Sequence, residues 1–154
     1  MTIQFKTNEG DFCEIVKKLC PKKVLIKFIG YEYLEVEVYY ANLLRGKVKN
    51  PLRRSVYGVG YLGVGKYMSS VNGTESLAYQ YWKRVLERSF CSKKQLVNPS
   101  YIGCSVSEEF TCYQDFAKWF EENWKPWMNS SWELDKDILC KECKTYSPET
   151  CCFV

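Results

Sequence analysis

The sequence contains no histidine among its 154 residues. Imidazole is the side chain best suited to act as a general base near neutral pH, so serine–histidine–aspartate and cysteine–histidine catalysis are excluded. Zinc sites of the Cys₂His₂ type are excluded as well, because half of their ligands are absent. The nine cysteines do not replace imidazole as a base.

The chain also lacks long apolar runs. No stretch approaches the roughly 18 apolar residues of a membrane span, and the first residues, MTIQFKTNEGDFCEIV, lack the basic-then-apolar pattern of a signal peptide. We therefore expect a cytosolic protein without a membrane partner. Because the cytosol keeps thiols reduced, the nine cysteines are expected to be free thiols. Metal ligation is the alternative, and disulfides are not expected.

Basic charge is concentrated in the first half of the chain. Residues 1–77 carry 12 Lys and Arg against 7 Asp and Glu, whereas residues 78–154 carry 10 against 11. One cluster lies at residues 17–23, and the other, RGKVKNPLRR, contains no acid. The basic residues of the second cluster are Arg45, Lys47, Lys49, Arg53 and Arg54. Such clusters suit phosphate backbones, although a solvated basic loop has the same pattern.

Residue periodicity predicts an α+β fold. Hydrophobic residues make up 46% of the chain and aromatic residues 16%, which supplies a core. KVLIKFI is a short apolar strand and YLEVEVYY alternates between apolar and polar residues, whereas DFCEIVKKL fits either a strand or a helical turn. These strands, separated by Gly and Pro turns, predict a small, barrel-like β subdomain over residues 1–55.

A Gly-rich segment follows at residues 56–73. Gly58, Gly60 and Gly63 match the form GxGxxG, but a phosphate-binding loop needs a helix immediately after it. The residues after Gly63 continue in a strand-like pattern instead. We therefore interpret the segment as a strand pair or a linker, with a turn at Asn72-Gly73.

Two amphipathic helices are predicted in residues 74–154. ESLAYQYWKRVLERSF and TCYQDFAKWFEENW both place apolar residues on one stripe. Thr111 and Gln114 have the spacing of a capping box at the start of the second helix. Three tryptophans fit the core-facing sides of these helices better than an exposed base-stacking platform: Trp82, Trp119 and Trp124.

The C-terminal segment, WELDKDILCKECKTYSPETCCFV, allows two chemical interpretations. Cys140 and Cys143 have the spacing of a zinc knuckle, with Cys151 as a further ligand. Buried thiols, which pack as small hydrophobes, have the same pattern. Asp135 and Asp137 have the spacing to hold Mg²⁺ through oxygen ligands, or to form a surface turn before a strand.

Several segments resemble a family of phage proteins related to HNH homing endonucleases. These segments are YWKRVLERSF, GCSVSEEFTCYQDFAKWFEENW, and ELDKDIL with KECKTYSPETCCFV. The β-rich stretch from Phe28 to Tyr67 is similar to the N-terminal part of the same proteins. The resemblance extends from about Thr7 to Val154 and is most specific in KTYSPETCCFV. It implies a ββα-metal relative that binds DNA in the cytoplasm of an infected bacterial host, with residues 74–154 as the HNH-like module.

The resemblance also implies that the nuclease site is degenerate. Asp135 is present, but Lys136 stands where active relatives carry the histidine that activates water. Cys143 stands in place of the usual Asn, and Glu142 in place of Gly. In the relatives, a helix beyond the position of Val154 completes the site, so we expect a truncated module that is kept for its fold.

The leading hypothesis is a small phage-type, nucleic-acid-binding protein without catalysis and without a required cofactor. Its expected phosphate contacts are Arg45, Lys47, Lys49, Arg53, Arg54, Arg84 and Arg88. An alternative from another class is a phage inhibitor, for example of anti-CRISPR type, that binds a host defence nuclease or signalling protein. A third hypothesis is a residual magnesium-dependent nicking enzyme that uses Asp135 and Asp137.

Overall fold

A computed structural model describes all 154 residues and divides the chain into two compact units, Met1–Asn50 and Pro51–Val154. The predicted α+β class is confirmed, because an antiparallel four-stranded sheet precedes a unit built around helices. None of the helices combines the length and the apolar character needed to cross a lipid bilayer.

The first unit is an antiparallel meander. Its strands are β1 (Gln4–Lys6), β2 (Phe12–Cys20), β3 (Lys23–Phe28) and β4 (Tyr31–Tyr39), hydrogen-bonded in that order. No pairing joins β4 to β1, so the sheet is open. The ambiguous segment DFCEIVKKL is a strand, because β2 pairs with both of its neighbours.

Alternate residues of β3 face a small core. Val24, Ile26 and Phe28 are buried, and the short helix α1 (Tyr40–Leu44) adds Leu43 to the same cluster. Burial of every second residue is the pattern that a strand with one wet face requires.

The other face of the sheet carries ion pairs across neighbouring strands. The Lys23 ammonium lies 2.6 Å from a Glu37 carboxylate oxygen, and the Lys27 ammonium lies 3.8 Å from Glu14. Cross-strand pairs of opposite charge favour this register over a shift by one residue, which would bury the charges.

The second unit begins with the Gly-rich segment. Val56 and Gly60 form an isolated antiparallel bridge, and no helix follows before Leu77, so the segment is not a phosphate-binding loop. The next two strands, β5 (Ser70–Val71) and β6 (Thr74–Glu75), form a hairpin. Asn72 and Gly73 both have positive φ angles, 51° and 78°, which a tight primed turn requires, as their sequence predicts.

Helices and short strands make up the rest of the second unit. In chain order they are α2 (Leu77–Phe90), α3 (Ser92–Val97), a 3₁₀ turn (Pro99–Tyr101), β7 (Ser105–Val106), α4 (Glu108–Thr111), α5 (Tyr113–Asn123), β8 (Leu134–Asp135), β9 (Thr145–Tyr146) and β10 (Cys152–Phe153). β10 pairs antiparallel with β8, and β7 pairs parallel with β9. These two pairings hold the C-terminal segment against the helices.

The core of the second unit lies between α2 and α5. Trp82 is fully buried and its indole N–H donates to the Phe110 carbonyl at 2.7 Å. Trp119 is also buried, and Trp124 is partly buried against the same cluster. The prediction that these tryptophans belong to the core is confirmed.

The predicted capping box is wrong. α5 begins at Tyr113 and no side chain caps its first turn. The Thr111 hydroxyl donates to the Glu108 carbonyl inside α4, because α4 ends directly before α5. The Gln114 side chain instead bonds both backbone groups of Tyr67, at 3.1 and 2.9 Å, and so ties the Gly-rich segment to the helix.

Gly60 provides a test of how tightly the second unit is packed. A Cβ at this position would lie 2.8 Å from Trp82 Cζ2 and would also collide with Leu86. Overpacking a core costs about 1–3 kcal/mol, so Gly60→Ala should lower the free energy of unfolding by that amount. The urea midpoint measures it. Ser55→Ala, at an exposed position five residues away, should change it by less than about 0.5 kcal/mol. A Gly60→Ala variant as stable as wild type would show that the packing is looser than described.

Candidate functional site

A polar cavity of about 430 Å³ opens between α2, the 3₁₀ turn and strands β8 and β9. We call it the first cavity. Its chemistry comes mainly from six side chains: Arg88, Tyr101, Asp135, Lys136, Asp137 and Tyr146. They belong to segments far apart in the chain, and the pairings of β8 with β10 and of β9 with β7 bring them together.

Arg88 lines the cavity from α2. Its guanidinium donates to the Leu134 carbonyl at 3.2 Å and to the Glu133 carboxylate at 3.1 Å. It also lies 5.5 Å from the centre of the Tyr101 ring. The side chain is only 17% exposed, so these contacts hold one orientation of the guanidinium.

Tyr146 closes the cavity from the side of β9. The residue is buried, and burial raises the pKa of its hydroxyl to about 12, although the neighbouring Arg88 acts in the opposite direction. The phenol is therefore protonated at neutral pH. Tyr146 is available for hydrogen bonding in this form and not as a base.

Lys136 is a buried cation, with 7% of its side chain exposed. Its ammonium pairs with the Asp137 carboxylate and lies 5.7 Å from the centre of the Tyr146 ring. A buried charge needs such partners, because burial removes its hydration. The Lys136 side chain therefore contributes a paired ammonium to the cavity.

Asp135 is committed to the backbone. One carboxylate oxygen accepts from the N–H groups of Asp137 and Ile138, at 2.7 and 2.9 Å, which forms a turn directly after β8. No group of three or more His, Cys, Asp or Glu side chains converges as a metal site anywhere in the chain. Asp135 and Asp137 therefore have no third acidic, cysteine or histidine side chain beside them with which to hold Mg²⁺.

Cys140 and Cys143 are joined by a disulfide. The expectation of nine free thiols is wrong for this pair, because the turn between them places their Cα atoms 5.3 Å apart, within bonding range. The expectation of free thiols rested on the reducing conditions of the cytosol, which say nothing about the distance between two particular cysteines. Because both sulfurs are used in the disulfide, they are not available as zinc ligands. Burial raises the pKa of Cys151, the expected further ligand, to about 11, so this side chain is a neutral thiol.

A second cavity of about 330 Å³ adjoins the first. The two share Arg88, Tyr101 and Glu133, and we call them together the groove. The second cavity adds Arg84 and Lys94 to the lining. Neither forms an ion pair within the chain, and Arg84 is exposed.

The residues expected to contact phosphate occupy three regions. Arg84 and Arg88 lie in the groove, as the helical spacing of four residues on α2 allows. The other expected residues are all exposed, in the first unit (Arg45, Lys47, Lys49) and at the start of the second (Arg53, Arg54). The basic stretch thus crosses the boundary between the units.

Arg54 has structural partners of its own. Its guanidinium pairs with Glu108 at 2.9 Å, donates to the Val59 carbonyl at 3.0 Å and lies 5.0 Å from the Tyr61 ring centre. The side chain therefore joins the Gly-rich segment to α4. A phosphate would have to compete with these contacts for Arg54.

Sequence reasoning missed four groove residues. Lys94, Tyr101 and Tyr146 were not singled out, and Lys136 was considered only as the replacement of a histidine. No local pattern connects them, because each belongs to a different segment. The nearest signal was the quoted segment KTYSPETCCFV, which contains Tyr146.

Comparisons with protein-family models, with curated proteins and with solved structures found no match to this chain.

The cysteine pairing predicts a specific labelling result. Alkylation of the denatured protein without reductant should label seven of the nine cysteines, since two form the disulfide, and prior reduction should allow all nine to react. Intact mass measures both numbers. Labelling of nine before reduction, together with about one zinc per chain that Cys140→Ser releases, would support the knuckle instead.

Proposed function

We propose that this protein is a small nucleic-acid-binding protein without catalytic activity, of the phage type that its sequence resembles. The observation that carries the proposal is the convergence of Arg84, Arg88 and Lys94 on one groove. Phosphate backbones are bound mainly by clustered Lys and Arg side chains, which replace condensed counterions.

The distribution of ion pairs supports a phosphate ligand for the second cavity. Arg88 and Lys136 are already neutralised by Glu133 and Asp137. Arg84 and Lys94 have no carboxylate partner within the chain, so a ligand phosphate supplies the missing charge without breaking an existing pair.

Exposed basic residues of the first unit are a separate candidate for contact with phosphate. Lys47 and Lys49 are exposed, and they alternate with the buried Gly46, Val48 and Asn50. This alternation directs both lysines outward from the first unit. Such contacts strengthen binding to any sequence, because phosphates carry no base identity.

The absence of catalysis follows from the residues available. Hydrolysis of a phosphodiester needs a base or a metal ion to activate water. The chain has no histidine, Asp135 accepts two backbone N–H groups, and the Lys136 ammonium pairs with Asp137. These side chains are therefore engaged in contacts other than the activation of water.

Salt dependence tests the proposed contact with phosphate. Log affinity for DNA should fall linearly with log salt, with a slope of about −3 to −5 when several basic residues engage. Replacing Arg84 and Lys94 together by Ala should reduce that slope by up to about 2 and weaken all sequences alike. The matched control replaces Lys118 and Lys125, which are exposed in the same unit but outside the groove, and should leave the slope unchanged.

A protein that binds no DNA at low salt would contradict the proposal. The inhibitor hypothesis, with a host defence protein as the partner, would then take its place. Equal effects of the groove and control substitutions would show that binding depends on overall charge and not on the groove.

A plasmid assay tests the absence of catalysis. Purified protein should leave supercoiled plasmid intact with either Mg²⁺ or Mn²⁺, as followed on an agarose gel, since no group is available to activate water. Nicking that persists through purification and disappears in Asp135→Ala would restore the nicking-enzyme hypothesis.

A further inference from the structure

We propose that the groove binds single-stranded nucleic acid in preference to duplex, with one unpaired base in the first cavity and its phosphate in the second. This inference rests on the proposed function and names its substrate class. It follows from the size of the cavities, the separation of their charges and the position of Tyr101.

The cavities have the size of small-ligand sites. At about 430 and 330 Å³, they fall at the lower end of the roughly 300–1,000 Å³ that such sites occupy. In a duplex the bases are paired and stacked inside, so a base reaches a cavity only when it is unpaired. A single strand offers such bases without the cost of opening a helix.

The two cavities differ in their balance of charge. The first contains more carboxylates, from Glu133, Asp135 and Asp137, than cations, from Arg88 and Lys136. Phosphates on the outside of a duplex are repelled by this arrangement. Carboxylate oxygens instead accept hydrogen bonds from exocyclic amino groups of bases, as Asp and Glu do from cytosine N4.

The second cavity has the opposite balance. It contains three cations, Arg84, Arg88 and Lys94, against the carboxylates Glu87 and Glu133. This excess of positive charge suits the phosphate that follows the base. Because the cavities share Arg88, the guanidinium lies at the junction between the two proposed positions.

Tyr101 is placed to stack on the base. Its ring lines both cavities, is partly exposed and carries the Arg88 guanidinium at 5.5 Å from its centre. Aromatic rings combined with arginine are the stacking elements of proteins that bind single strands without strict sequence preference.

Fluorescence anisotropy with labelled 12-nucleotide probes tests the proposal. A DNA strand, an RNA strand of the same sequence and the corresponding DNA duplex are titrated with the full chain at low salt. We expect either strand to bind at least about tenfold more tightly than the duplex, and the two single-strand arms distinguish DNA from RNA as the preferred ligand.

Variants at Tyr101 separate stacking from charge. Tyr101→Ala should weaken binding of the single strand by about 5- to 150-fold, which corresponds to about 1–3 kcal/mol per stacked base, and should affect the duplex little. Tyr101→Phe should retain the affinity, because the ring remains. Tyr101→Leu keeps the bulk but not the ring and should behave as Ala does, so it replaces Ala if that variant unfolds. Tyr33→Ala, at a tyrosine 79% exposed in the first unit, is the matched control and should have no effect.

The outcomes distinguish this inference from the function on which it rests. Equal or tighter binding of duplex, or single-strand affinity unaffected by both Tyr101→Ala and Tyr101→Leu, would overturn the single-strand proposal and leave DNA binding in place. Absence of binding to all three probes would overturn both.

Discussion

The buried indole of Trp82 is the contact on which the second unit depends. Its N–H donates to the Phe110 carbonyl, so a polar group that burial would otherwise leave unsatisfied joins α2 to the segment before α5. Gly60 lets the Gly-rich segment approach the same ring closely. Arg88 lies on the same helix, six residues after Trp82, so the packing of Trp82 also positions the Arg88 side chain that lines the groove.

Electrostatics in the groove follows from which charges already have partners. The buried ammonium of Lys136 and the guanidinium of Arg88 are each held by a carboxylate, so their contribution is mainly to shape and hydrogen bonding. Arg84 and Lys94 line the same groove and form no ion pair within the chain. The groove therefore combines paired charges in its interior with two cations that have no ion-pair partner.

The residues that follow β8 are held by local contacts. Asp135 stabilises a turn through two backbone N–H groups, and the adjacent lysine is buried against Tyr146. Replacing Lys136 by histidine would leave Asp137 without its ion-pair partner. These contacts therefore fix the conformation of the segment that follows β8.

Local patterns in the sequence determined the α+β class, the strands β3 and β4, the helices α2 and α5 and the Asn72-Gly73 turn, because periodicity and turn chemistry act over a few residues. They also placed the tryptophans in the core. The groove, the Cys140–Cys143 disulfide and the use of Gln114 to bind a distant backbone were decided only by the tertiary structure. In each of these three features, packing, strand pairing or backbone geometry brings particular groups together. The spacing of residue types along the chain does not show which groups will meet in this way.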